Sequence, residues 1–302
     1  MMSNHNDDGF GIIDAHFHIW DPTIQRLPWL DDADPLLNRK WDLADLEQAY
    51  ASFNADRVRF LGGVYVEVDC DSPEAEDRLI YSNHDPRILA RVMRARMEPW
   101  MRIPLFADGV RDPLHIPSSR PGRCLDSDFI DGLRMLGAAG LPFDVCARID
   151  ELDDIAQAHE QAPDTVIVLD HMGNVTPERF TEQYRDAMRR LAQLPNTYVK
   201  VSGYPTSDSK FVHDVLAFSR EVFPNRRMYA SNWPVVESYA NFNDHLRLLL
   251  AEEGYDESLF CTTAAQVYHI DTASLISPTH TNTTKETAWE PSLKACFALL
   301  SR

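Results

Sequence analysis

Short apolar runs that end in polar residues recur along this chain, and helix-patterned segments lie between most of them. GFGIIDAHFHIW (9–20), FLGGVYVEVD (60–69), ILARVMRA (88–95), RIPLFADGVR (102–111), LPFDVCARI (141–149), TVIVLDHMG (165–173), TYVKVSG (197–203) and RRMYASNW (226–233) are the eight strand candidates. Between them stand amphipathic stretches with helix start and stop signals. DLADLEQAYASF (42–53) opens on an aspartate cap, SPEAEDRLIYSNH (72–84) opens on Ser-Pro, and DSDFIDGLRMLGAAG (126–140) stops on glycine. Further helices are expected over 150–163, 177–195, 211–223 and 241–254. Eight strands, most followed by one helix, in about 260 residues predict a (β/α)8 TIM barrel, with a doubly wound sheet as its rival. No GxGxxG fingerprint follows any strand, which counts against the rival.

The boundaries expected are a flexible N-terminus over 1–10, a barrel domain over 11–270 and a polar extension over 271–302. The Thr- and Pro-rich segment 277–291 reads as loose. SLKACFALLSR (292–302) can form a final helix packed on the barrel or serve a homodimer contact. A net charge of -18 argues against nucleic acid or an anionic membrane as partner. Five cysteines without close pairs fit neither a disulfide framework nor a metal knuckle. With no leader pattern at MMSNHNDDGF and no apolar run of membrane length, a cytoplasmic setting is expected.

Polar residues inside or at the ends of apolar strands mark the candidate site, because unpaired charge in such places is costly. His16 and His18 lie two apart, so an extended strand points both the same way. Such a pair suits a metal of the zinc type, a substrate carboxylate or a carbonyl. His171 ends the sixth run and is the better candidate for the barrel mouth, with Asp170 facing away to hold a backbone or loop. Lys200 shares a face with Ser202, Glu67 with Asp69, and Arg111 and Arg148 end the fourth and fifth runs. Trp20, Trp29, Trp41 and Trp233 can wall a pocket or fill the core. Asn232 stands at the tip of the last strand, where an amide binds but cannot act as a general base.

With DAHFHIWD, GVYVEVD, LPFDVCAR, VLDHMG, YVKVSG and ASNWPV in order, residues 11–270 resemble the amidohydrolase superfamily. The nearer likeness is to its "amidohydrolase 2" branch of sugar-lactone and 2-pyrone-4,6-dicarboxylate lactone hydrolases. That resemblance implies a hydrolase of carbohydrate or aromatic-acid metabolism acting on a small, anionic cyclic ester by water attack. It implies catalytic roles for His16, His18, His171 and Asn232, and substrate binding by Arg111; beside these, Arg111, Arg148 and Lys200 are read as a positive pocket floor, and Glu67, Trp20 and Trp233 as further substrate-binding candidates. Thr263 to Tyr268 match a helical family signature and are read as packing.

Two positions depart from the family pattern. Cys146 and Arg148 stand where metal-binding members carry a fifth-strand histidine, and Asn232 replaces the eighth-strand aspartate. The favoured expectation is therefore that no cofactor is required, with His171 as replacement base. A single divalent metal such as zinc at His16, His18 and His171 is the open alternative. Two other functions stay in view: a metal-dependent amidohydrolase or decarboxylase, and a non-catalytic small-molecule binding protein that has lost its aspartate.

Overall fold

The computed structural model describes residues 9–276. Eight parallel strands follow one another in chain order: β1 (Phe10–Phe17), β2 (Val58–Val66), β3 (Ile88–Arg94), β4 (Gly109–Arg111), β5 (Phe143–Val145), β6 (Ile167–Leu169), β7 (Thr197–Val201) and β8 (Arg227–Tyr229). The sheet curls back on itself past the end of β8. Phe17 bridges Trp233 in parallel, His18 N–H donates to the Trp233 carbonyl at 2.8 Å, and Asn232 N–H donates to the His16 carbonyl at 2.9 Å. The chain is a (β/α)8 barrel, and its first and last polar motifs form the seam.

The helices are α1 (Leu43–Ala51), α2 (Pro73–Ser82), α3 (Ser127–Ala139), α4 (Leu152–Glu160), a single irregular turn α5 (His171–Asn174), α6 (Glu182–Gln193), α7 (Ser209–Val222), α8 (Phe242–Glu253), α9 (Thr263–Val267) and α10 (Thr272–Ile276). Their starts follow the expected chemistry. Asp42 caps α1 in a capping box with Asp45, and Asp208 and Asn241 accept from the first-turn amides of α7 and α8. Each strand splits its side chains between two environments. Val199 and Val201 of β7 join the apolar layer that includes helix residues such as Leu216 and Met188, while Lys200 points into the barrel.

Two expectations need adjusting. The fourth strand is only Gly109–Arg111, and residues 95–108 run as a loop, because charge and Pro104 break the apolar pattern there. This is the one interval between successive strands without an α-helix. The sixth strand stops at Leu169, and the chain then turns through left-handed backbone at His171, Met172, Gly173 and Asn174. The described residues divide into two units at residue 270, the second represented by α10. The helix expected over 292–302 lies outside the described residues, as does most of the N-terminal segment expected to be flexible. Among the described residues, no helix is long and apolar enough to cross a membrane.

Candidate active site

The seam between β1 and β8 is built around Asp14. One carboxylate oxygen accepts from His16 N–H (3.1 Å) and Ser231 N–H (2.9 Å), and the other accepts from Tyr50 O–H at 2.9 Å. Burial raises its pKa against these bonds. The clamp fixes His16, and through Ser231 it fixes the backbone that carries Asn232. Asn232 has φ 57°, a left-handed conformation asparagine tolerates, and the Trp233–Pro234 peptide that follows is cis.

His16 and His18 project together, with their Nε2 atoms 3.1 Å apart. His18 Nδ1–H donates to the Val66 carbonyl at 2.8 Å, which leaves its Nε2 with a lone pair. His16 Nδ1 lies 3.2 Å from Asp170 Oδ1 and 3.1 Å from Lys200 Nζ. Two proton arrangements satisfy these contacts. If Lys200 donates to His16 Nδ1, then His16 Nε2–H donates to His18. If His16 Nδ1–H donates to Asp170, both Nε2 lone pairs are free to face one cation.

Beneath this pair lies an ionic layer. Lys200 is completely buried; its ammonium pairs with Asp144 and lies 3.0 Å from Asp170. Tyr268 O–H donates to Asp144 at 2.9 Å. Arg111 Nε donates to Glu67 at 2.5 Å, and its Nη1 lies 3.5 Å from Asp170. Burial works against the charge on Asp170, but Lys200 and then His16 hold its pKa well below the ordinary carboxylate range. At Asp144 burial prevails over Lys200 and lifts the carboxyl to about 6.

Above the layer opens a cavity of about 560 Å3, whose walls include His18, Arg111, Cys146, Arg148, His171 and Asn232. Burial lowers His171 to about 4 and His18 to about 3, and His16 is also pushed well down, so all three imidazoles are neutral at pH 7. His171 Nδ1 lies 2.8 Å from Ser202 Oγ; the tautomer that donates there leaves Nε2 free to accept a proton. Its position depends on Gly203, where an added Cβ would stand 2.5 Å from the His171 Cβ. Asn232 Nδ2 donates weakly to Tyr239 at 3.4 Å, and Asn174 Nδ2 lies 3.6 Å from the Cys146 sulfur. That sulfur pushes the neighbouring His115, also on the wall, up to about 9.

The residues read from the sequence thus fall into two groups. His18, Arg111, Arg148, His171 and Asn232 line the cavity. His16, Glu67 and Lys200 lie outside its lining in the buried layer, so the expected positive floor is corrected. Lys200 is consumed by Asp144 and Asp170. Arg148 is spent on Glu151 and on the Ile116 and Ser119 carbonyls. Trp20 and Trp233 are core residues, one donating to the Leu37 carbonyl and the other packed edge-on to Trp41, while Trp29 reaches the cavity. Asp170, read as a loop tie, is instead the hub joining His16, Lys200 and Arg111. Asp144 was missed, although an acid inside the apolar run LPFDVCAR is the same signal that marked Lys200. Tyr268 was assigned to packing, and nothing in the sequence pointed to His115 or Asn174.

The residues present fit a single divalent cation. His18 and His16 each have a carbonyl or carboxylate partner on Nδ1, as metal-bound histidines do. Among the described residues, His16, Asp170 and His171 also bring ligand atoms within 4.8 Å of one another.

Comparison with known proteins places the barrel in a family. The amidohydrolase family model matches residues 13–270. The structure of amidohydrolase 2 from Bifidobacterium longum subsp. infantis is 46% identical, with TM-score 0.79 over 87% of this chain and 100% of that one. L-fucono-1,5-lactonase of Burkholderia multivorans is 26% identical over 257 residues, covering 77% of this chain and 85% of the lactonase. An amidohydrolase from Burkholderia multivorans with bound zinc shares the fold at 22% identity, with TM-score 0.73 over 86% of this chain and 99% of that one. A family match that spans nearly the whole barrel identifies the chain as a member of the amidohydrolase family.

Proposed function

We propose that the cavity hydrolyses a small cyclic ester, opening a lactone to its hydroxy acid. The observation that carries this reading is the convergence of two neutral imidazoles, His18 and His171, with the Asn232 amide on one wall of a cavity sized for a small ring. The likeness to a sugar-lactone hydrolase supports the substrate class.

His171 takes a proton from water, and the hydroxide formed adds to the ring carbonyl. The tetrahedral intermediate collapses with cleavage of the ring C–O bond, and the leaving oxygen takes back the proton from His171. The Asn232 amide orients the water or donates to the developing oxyanion, and Arg111 stabilises that charge from the cavity floor. The layer below holds His16 in place behind His18. If His16, His18 and His171 instead held a divalent cation, it would supply Lewis-acid polarisation of the same carbonyl, and His171, with its Nε2 lone pair engaged, would no longer be the base.

Hydroxy-acid release from a panel of sugar-acid and aromatic-derived lactones tests the reading. His171→Gln should lower kcat/KM by about 100- to 10,000-fold on the best lactone. Wild-type turnover in that variant would remove His171 as the base. The 3.1 Å approach of the two Nε2 atoms favours one second reading, metal-dependent amide hydrolysis or decarboxylation. It predicts stoichiometric metal in the purified protein and activity lost on chelation and regained on addition of zinc.

A further inference from the structure

A second cavity, of about 670 Å3, lies on the other side of the segment that follows β4. It is lined by five arginines from three stretches of chain: Arg94 at the end of β3, Arg96 and Arg102 in the helix-free β3–β4 loop, and Arg120 and Arg123 beyond β4. In a chain of net charge -18, that concentration needs a reason.

Internal pairing accounts for part of it. Arg123 is bidentate on Asp112, whose carboxylate also accepts Met97 N–H at 2.6 Å, and Arg120 pairs with Asp126. The other three have donors to spare, since a guanidinium carries five N–H groups. Arg102 spends one nitrogen on Asp77 at 2.7 Å, and Arg94 uses Nη1 on Asp69 and the Cys70 carbonyl. Arg96 is 3.8 Å from Glu98, beyond hydrogen-bonding range, and 78% exposed. Glu74 and Glu98 are the remaining acids on the wall. A separate feature points the same way. Ser119 lines this cavity while only 5% exposed, and its hydroxyl is buried without a hydrogen-bond partner.

We propose that this cavity is a second ligand site, separate from the histidine cavity, for a small polyanion carrying phosphate or several carboxylates. Arg94, Arg96 and Arg102 supply the spare donors, and the planar fork of each guanidinium matches a pair of oxygens on either group. The segment around Ile116 is a shared wall, because Ile116 lines both cavities. Arg148, on the histidine side, holds the Ile116 and Ser119 carbonyls at 2.8 and 2.6 Å. An anion seated against Ser119 therefore bears on the same segment that positions His115 and Arg148 at the first cavity.

Calorimetric titration of the full chain with inorganic pyrophosphate, and separately with tricarballylate, tests the proposal and distinguishes the two ligand sources. Saturable binding of one equivalent of either probe is expected, weakening as salt screens the charges. R96Q/R102Q should weaken that binding at least tenfold, a loss of about 1.4 kcal/mol. Both side chains are largely exposed, and a wild-type melting curve would show that the variant folds. His171→Gln should bind the probe as wild type does. Absence of saturable binding overturns the proposal, as does equal affinity in R96Q/R102Q or loss of binding in His171→Gln. The readout is binding alone, so it stands or falls apart from lactone hydrolysis.

Discussion

The ionic layer and the cavity wall are built at the same end of one barrel, yet they carry opposite chemistry. One level down, Asp144, Asp170, Lys200 and Glu67 are buried and paired, and Arg111 reaches from this layer to the cavity lining. One level up, His18 and His171 are neutral, and their Nε2 atoms keep acceptor capacity. The difference teaches where reactivity can reside. Charges sealed from water need saturated partners and become framework. Groups on the wall need only one anchoring bond each, such as His18 to Val66 or His171 to Ser202; His171 keeps its other side for a ligand, and His18 does so when the His16 proton is on Nδ1.

Breaking the layer should have the largest effect. Lys200→Met leaves Asp144 and Asp170 facing each other without their cation, at a cost of about 3–5 kcal/mol. Chemical denaturation should show that loss, and activity should vanish with it as His16 loses its support. Changing only the wall should spare stability. Asn232→Asp keeps a left-handed backbone that aspartate also tolerates. The melting temperature should stay close to wild type, while kcat/KM for an anionic lactone falls about tenfold, the equivalent of roughly 1.4 kcal/mol, as a donor gives way to a negative charge. A gain in rate would show instead that the wall lacks a base.

The pH dependence sharpens the same contrast. His18, His171 and His245 have native pKa values near 3, 4 and 3 against 6.5 when exposed, so below pH 6.5 the unfolded chain binds protons the fold refuses. Stability therefore falls with acid through the window from 6.5 toward 4. In the other direction, burial lifts Glu76 to about 8 and Cys146 lifts His115 to about 9, so the fold holds protons the unfolded chain releases. That contribution is lost as pH rises through 8 and 9. Thermal melts from pH 4.5 to 8.5 should peak near 6.5, and His171→Gln should flatten the acid side.

Much of the framework was legible in the sequence. All eight strands lie within or overlap the expected runs, because each alternates apolar residues with a polar end, and periodicity reports that directly. His16 with His18 was legible for the same reason, since a spacing of two on a strand fixes a shared face. What periodicity cannot report is depth. Lys200 and His171 both break apolar runs, yet one sits in the buried layer and the other on the wall, because Lys200 lies inside β7 and His171 in the turn beyond the end of β6. His115 and Asn174 come from loops, where neither period nor spacing applies. The tryptophans show the same limit, with Trp29 at the cavity and Trp20 and Trp233 in the core.

The two proton arrangements available to His16 have a consequence for descent. Moving one hydrogen from Nε2 to Nδ1 converts a self-contained hydrogen-bonded chain into a pair of open lone pairs, with every heavy atom left in place. A lineage built on this seam can gain or shed dependence on a cation without repacking its barrel. Selection on that trait would then act through proton placement and ion supply, while the architecture stays silent.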